Sequence, residues 1–146
     1  MSDSADIAAL EHLIDTYCAA WSEPDSVQRE QILKNVWAED GTYTDPRADI
    51  AGLKELVALI GRILAGRPGA KVIRTSVVDS HHGLVRFAWR VVQADGTMLP
   101  EGIDFAEISS KGQLLRIVGF FGPLAPKERA RAQPSVAADA PQAARR

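Results

Sequence analysis

From Lys71 to Phe121 the chain reads KVIRTSVVDSHHGLVRFAWRVVQADGTMLPEGIDFAEISSKGQLLRIVGFF, and along it the apolar residues recur with a period near two. That period belongs to strands, whose side chains alternate between two faces. Three runs, KVIRTSVVDS (71–80), LVRFAWRVV (84–92) and GQLLRIVGFF (112–121), are rich in β-branched and aromatic residues, and MLPEGIDFAEI (98–108) fits between the last two. The separators HHG, ADG and SKG are compact turn signals. Four successive antiparallel strands are therefore predicted.

Upstream the period changes to that of helices. AGRPGA (65–70) ends a helix that starts at Gly52, with Glu55 three residues on and Leu53, Leu56, Val57, Ile60, Ile63 and Leu64 as its buried stripe. Before it lies a short extended run, TYTDP (42–46). A second helix is predicted from a cap at Asp25 or Ser26 through Ile32, Leu33, Val36 and Trp37, followed by a turn at Asp40 and Gly41. Ile7, Leu10, Ile14, Tyr17 and Trp21 form one stripe of a first helix, from about Ser4 to Trp21, which Pro24 separates from the second. Three helices followed by antiparallel strands make an α+β domain in which one sheet face takes the helices.

The chain has 146 residues, 46% hydrophobic and 25% charged, with a formal net charge of -2. One soluble domain is expected, spanning 1–122, with a solvated Pro/Ala/Arg-rich tail over 123–146. The weakly acidic balance argues against nucleic acid as a partner, since that affinity rests on clustered Lys and Arg. No segment has the pattern of a signal peptide or a membrane span, and the single Cys18 has no partner for an internal disulfide. A cytoplasmic protein without membrane association is the expectation.

Three residues carry candidate chemistry. Pro46 holds Asp45 in extended geometry, at a corner near Trp37 and Tyr43. In an apolar hollow such a carboxylate serves as a general base; equally, Asp-Pro is a turn dipeptide whose carboxylate caps the following amides. Asp104 shares a strand face with Gly102, Ala106 and Ile108, while Ile103, Phe105 and Glu107 take the other. If the Asp104 face is concave, it is an acid in an apolar cavity with room for a ligand beside Gly102; if convex, it is an ordinary surface charge. Tyr17 lies one turn before Trp21 on a buried stripe, where its hydroxyl needs a partner.

Trp21, Trp37, Tyr43, Phe87, Trp89 and Phe120 are expected to wall a ligand cavity, with His82 as a donor at its edge. Neighbouring His81 and His82 point to opposite faces and have no third ligand at zinc spacing, so no metal is expected. Arg86 and Arg90 are expected to pair with Glu107 on the outer sheet.

The order TYCAAW, VWAEDGTYTDP, a helix after Gly52, VRFAW, ADG, GIDFAEI, SKGQLLRIVGFF resembles the nuclear transport factor 2-like superfamily, and within it SnoaL-like polyketide cyclases and ketosteroid isomerase-like proteins, over about Ile7 to Gly122. The resemblance implies a cone-shaped α+β barrel, three helices packed on a curved, mainly antiparallel sheet that opens onto an apolar pocket. It implies Asp45 as general base, with Tyr17 and a protonated Asp104 as the oxyanion hole, as in ketosteroid isomerases. A cofactor-independent isomerase or cyclase, acting on a small apolar carbonyl compound and assembled as a homodimer, is the expected function. The alternative is a non-catalytic ligand-binding or dimerisation module of the same fold.

Overall fold

A computed structural model describes residues 4–128. The elements run α1 (Ser4–Ala20), α2 (Ser26–Lys34), β1 (Trp37–Asp45), β2 (Ala48–Ala51), α3 (Leu53–Ala65), β3 (Lys71–Arg74), β4 (Asp79–His81), β5 (Leu84–Val92), β6 (Gly102–Ile108) and β7 (Leu114–Phe121). The strands form one curved, unclosed sheet in the order β2-β1-β7-β6-β5-β3, with β4 beside β5. Every pairing is antiparallel except β1 with β7. The predicted α+β cone, with helices on a curved and mainly antiparallel sheet, is the observed architecture.

The helices form where their caps and stripes require. Asp25 caps α2 by accepting the Gln28 N–H at 2.9 Å. Along α1 the stripe is buried at Ile14, Tyr17 and Trp21, whereas Ile7 at the N-terminal end is exposed. Leu56, Ile60 and Leu64 of α3 pack with these residues into one core. Arg29, 3% exposed, donates to the carbonyls of Glu23, Pro24 and Val57, which ties the α1–α2 turn and α2 to α3. Gly61 allows this approach, since a Cβ there would lie 3.0 Å from the guanidinium.

Two local expectations are corrected. The second helix stops at Lys34, and Trp37 opens a nine-residue strand. Asp40 and Gly41 are no turn: they lie within β1, whose register shifts between Trp37 and Thr42, and a Cβ on Gly41 would meet the Trp37 indole at 2.6 Å. The glycine is thus needed in a bulged strand folded under its own tryptophan. The run 71–80 is broken into β3 and β4, because Ser76 Oγ takes the Ala88 N–H that a continuous ladder would have used.

The tail expected over 123–146 lies beyond Glu128 outside the described residues. Among the described residues no helix is long and apolar enough to cross a membrane.

Candidate functional site

The inner face of the sheet, α1 and α3 line a cavity of about 510 Å³. Small-molecule sites span about 300 to 1,000 Å³. Buried Tyr17, Phe87 and Asp104 mark its closed end; exposed Arg47 and Arg62 mark its open end. Trp21, Tyr43 and Trp89 line it between.

Strand alternation decides the orientation of Asp104. Gly102, Asp104 and Ala106 are buried, whereas Ile103 and Phe105 are exposed at 41% and 43%. The face left open by the sequence is therefore the concave one. Trp89 donates its Nε1–H to Asp104 Oδ1 at 2.9 Å. Burial pushes the Asp104 carboxyl up to about 7; the Trp89 hydrogen bond opposes this and the charge of Asp45 adds to it.

Asp45 ends β1 with both oxygens engaged. Oδ2 accepts from the Tyr43 hydroxyl at 2.5 Å, and Oδ1 accepts the Arg47 N–H at 2.8 Å. The turn contact considered from the sequence is present, and the same residue also lines the cavity. Its position relative to Asp104 follows from register. Thr44 lies beside Val118 in the parallel pair, and Asp104 lies opposite Gly119, so Asp45, Gly119 and Asp104 form one row across three strands. A Cβ on Gly119 would stand 2.6 Å from Asp104 Oδ1 and 3.6 Å from Asp45 Cβ. Only a residue without a side chain leaves room for both acids.

Gly119→Ala is accordingly expected to displace the Asp104 carboxyl from Trp89 and to destabilise the fold by about 1–3 kcal/mol. Urea denaturation of the variant checks this; wild-type stability would show that the carboxyl moves aside freely.

Tyr17 reaches the cavity from α1. Its ring lies parallel to that of Trp37 (11° between planes) and edge-on to Trp21, each at 6.4 Å between centroids. Its hydroxyl is buried with no partner in full hydrogen-bonding geometry among the described residues, and only the nearby Trp21 indole eases its charged form. Burial first, then the nearby Asp104, holds the phenol protonated well above its ordinary range. Tyr43 is raised in the same way, chiefly by burial. Cys18, also at the cavity, is pushed up to about 12 by burial and stays a thiol.

Four expected wall residues lie elsewhere. Trp37 is buried behind Tyr17 and does not line the cavity. His82 has φ 52 and, with Gly83 at φ 77, forms the two-residue hairpin turn between β4 and β5, where it is exposed. Gly102 leaves no room for a ligand, because the Trp89 indole occupies that space: a Cβ there would lie 2.4 Å from it. Phe120 faces outward at 57% exposure and packs edge-on against Phe105, while Phe121 lines the cavity. In LLRIVGFF both faces are apolar, so pattern alone could not set this parity.

The outer arginines are also repaired by register. Arg86 stands opposite Asp79 and pairs with it at 2.8 Å; Glu107 stands opposite Arg116 and pairs with that residue at 3.5 Å. Arg90 instead approaches Met98 Sδ at 3.7 Å. Residues that the sequence reading did not place at the cavity are Arg47, Arg62 and Arg67 at its open end. Arg62 and Arg67 are five residues apart near the end of a helix, a spacing that carries no signal until the helix is set against the sheet.

Three helices on a curved, mainly antiparallel sheet with an apolar cavity on its inner face are the nuclear transport factor 2-like fold. Among solved structures it is similar to a candidate isomerase of the SnoaL-like family from Agrobacterium tumefaciens, at 28% identity and TM-score 0.75, covering 80% of this chain and 99% of that one. It is also similar to a candidate SnoaL-like polyketide cyclase from Jannaschia sp. CCS1 (14% identity, TM-score 0.64, 91% of this chain and 96% of that one). A candidate ketosteroid isomerase from Kribbella flavida is a third (16% identity, TM-score 0.61, 83% of each chain). The last two likenesses concern the fold alone. No protein-family model and no curated protein matches the sequence.

Proposed function

We propose that the cavity takes a small apolar carbonyl compound and that the protein moves a proton beside that carbonyl, as an isomerase or a cyclase. The observation that carries this reading is the placement of Asp45, Asp104 and Tyr17 on one largely apolar cavity, the two acids flanking Gly119. Asp45 takes a proton from the carbon next to the carbonyl. The C–H electron pair becomes a carbon–carbon double bond, and the carbonyl π pair moves onto oxygen. Tyr17 and the neutral form of Asp104 donate hydrogen bonds to that oxyanion, which two fixed donors in a dry cavity stabilise better than mobile water does. In an isomerisation Asp45 returns the proton to another carbon; in a cyclisation the enolate carbon attacks a second carbonyl, whose π pair moves onto its oxygen, and that oxygen takes the proton from Asp45. No other group enters the step.

A second reading has its own support. Both oxygens of Asp45 already accept hydrogen bonds, from Tyr43 and from the Arg47 amide, which suits a carboxylate that merely stabilises its turn. The protein is then a binding module without chemistry. The outer patch of Ile103, Phe105 and Phe120 is the surface we assign to a homodimer in either case.

Proton exchange separates the two. A cyclic enone steroid in D2O is expected to lose its α-hydrogens to deuterium faster with the protein present, as followed by NMR, and to lose that acceleration as pH rises through about 7. Quenching of Trp21 and Trp89 fluorescence without exchange would leave only the binding module.

A further inference from the structure

Trp89 lines the cavity, yet no step of the proposed reaction uses it. It stands on β5 opposite Gly102 of β6, and Phe87, two residues back on the same face, stands opposite Asp104. The indole therefore lies beside the Asp104 carboxyl on the inner face of the sheet. Three contacts fix it there. Its six-membered ring fills the space over Gly102, where a Cβ would lie 2.4 Å from Cζ2. Phe121 of β7 packs edge-on against it, 6.0 Å between centroids and 87° between planes. Its Nε1–H donates to Asp104 Oδ1 at 2.9 Å.

An indole N–H donates and never accepts, so it dictates the role of the oxygen it meets. A neutral carboxyl has one carbonyl oxygen and one hydroxyl oxygen, and the carbonyl is the better acceptor. Facing Trp89, Oδ1 takes the carbonyl role. Oδ1 is also the oxygen pressed against Gly119, where a Cβ would stand 2.6 Å from it. The proton then resides on Oδ2, which has no hydrogen-bond partner among the described residues. Oδ2 is the atom left to address the cavity that Asp104 lines.

The geometry points to Trp89 as a positioning residue: by donating to Oδ1 it holds the Asp104 proton on Oδ2 and turns that O–H toward the substrate oxygen. This assignment rests on the proton-transfer reading above and adds the group that orients the acid. Without the indole N–H the carboxyl turns about its Cβ–Cγ bond, either oxygen carries the proton, and the donor must be reoriented in each turnover. The titratable groups around the carboxyl are Tyr17 and Cys18 of α1 and Tyr43 and Asp45 of β1; burial keeps the first three protonated, and Asp45 supplies the charge that acts on Asp104. The indole N–H favours the ionised carboxyl, against the burial that keeps it neutral. Removing the N–H and removing the packing therefore move the Asp104 proton equilibrium in opposite directions.

The test compares wild type, Trp89→Phe, Asp104→Ala and Trp89→Phe/Asp104→Ala in the α-proton exchange of a cyclic enone steroid in D2O. Phenylalanine keeps a ring between Gly102 and Phe121 and removes the N–H. Trp89→Phe is expected to slow exchange about tenfold, with the affinity for the ketone, measured by equilibrium dialysis, changed less than a few-fold. The fall of the rate at high pH is expected to move upward from about 7. In the Asp104→Ala background the same substitution is expected to cost about twofold or less, since Trp89 acts through Asp104. An equal cost in both backgrounds, or a fall of the rate at lower pH as water enters beside the smaller ring, would reduce Trp89 to packing and overturn the assignment. Should Trp89→Phe not fold, the wild-type protein decides: the Trp89 indole N–H resonance is expected to titrate with a midpoint of about 7, in step with Asp104, and a resonance indifferent to pH would overturn the assignment. Wild-type exchange that Trp89→Phe leaves unchanged sinks this inference alone; no exchange in the wild type sinks the proton-transfer reading and the assignment with it.

Discussion

Asp104→Asn is expected to make the protein more stable than wild type at pH 8.5, by about 4 kcal/mol relative to the difference between the two at pH 4. The sign follows from proton counting. Folding raises the Asp104 carboxyl from its ordinary value of 3.8 to about 7, because burial disfavours the ionised form. Between those values the folded chain keeps a proton that the unfolded chain releases. Wild-type stability therefore falls as pH rises through the window from about 4 to 7, and above it the full penalty of a buried carboxylate is present. Asparagine keeps the shape and an oxygen acceptor for the Trp89 Nε1–H, but has no proton to lose. Urea titrations of both proteins at several pH values measure the difference, and contributions from other groups cancel between them. Parallel stability profiles would show that Asp104 is solvated as readily in the folded state as in the unfolded one.

That result bears on function because it measures the form in which Asp104 exists. A carboxyl that stays neutral up to about 7 is a hydrogen-bond donor at near-neutral pH, which an oxyanion hole requires. The same burial that weakens the fold at high pH prepares the donor. Trp89 contributes twice, as the partner of Oδ1 and as the ring that fills the space above Gly102.

How much of this could be read beforehand differs between levels. The two periods, near 3.6 before Lys71 and near two after it, show the α+β order directly, because alternation of burial is written into residue spacing. Helix ends at Asp25 and Gly52 were equally legible, since caps are local chemistry. The first long strand was not. Trp37 continues the apolar spacing of α2, and Asp40-Gly41 has turn composition; what makes them a strand is pairing with Leu114–Phe121, more than seventy residues away. Asp45, Asp104 and Tyr17 stood out singly. The shared row of the two acids does not, because it depends on the parallel register of β1 with β7 and on Gly119, a residue that signals nothing by itself. Parity errors have the same origin: Phe120 and Phe121 are adjacent and chemically alike, and only the partner strand decides which one faces in.

Asp45→Asn is expected to lower the rate of α-proton exchange by about 10²- to 10⁴-fold, the usual range for loss of a positioned general base. The affinity for the ketone is expected to change less than a few-fold. Asparagine has the size of aspartate, and an amide oxygen still accepts the Arg47 N–H that Oδ1 accepts now, so the end of β1 should keep its geometry. The hydroxyl of Tyr43, bound to Oδ2 in the wild type, meets an amide nitrogen or rotates away, a local change in the cavity wall. What is lost is the ability to take a proton. A fall in rate at constant affinity is therefore the signature of a base, since removal of a binding contact would weaken substrate and transition state together. If exchange persists at the wild-type rate in Asp45→Asn, the proton goes elsewhere, and the two hydrogen bonds that Asp45 accepts describe its whole role as a turn residue.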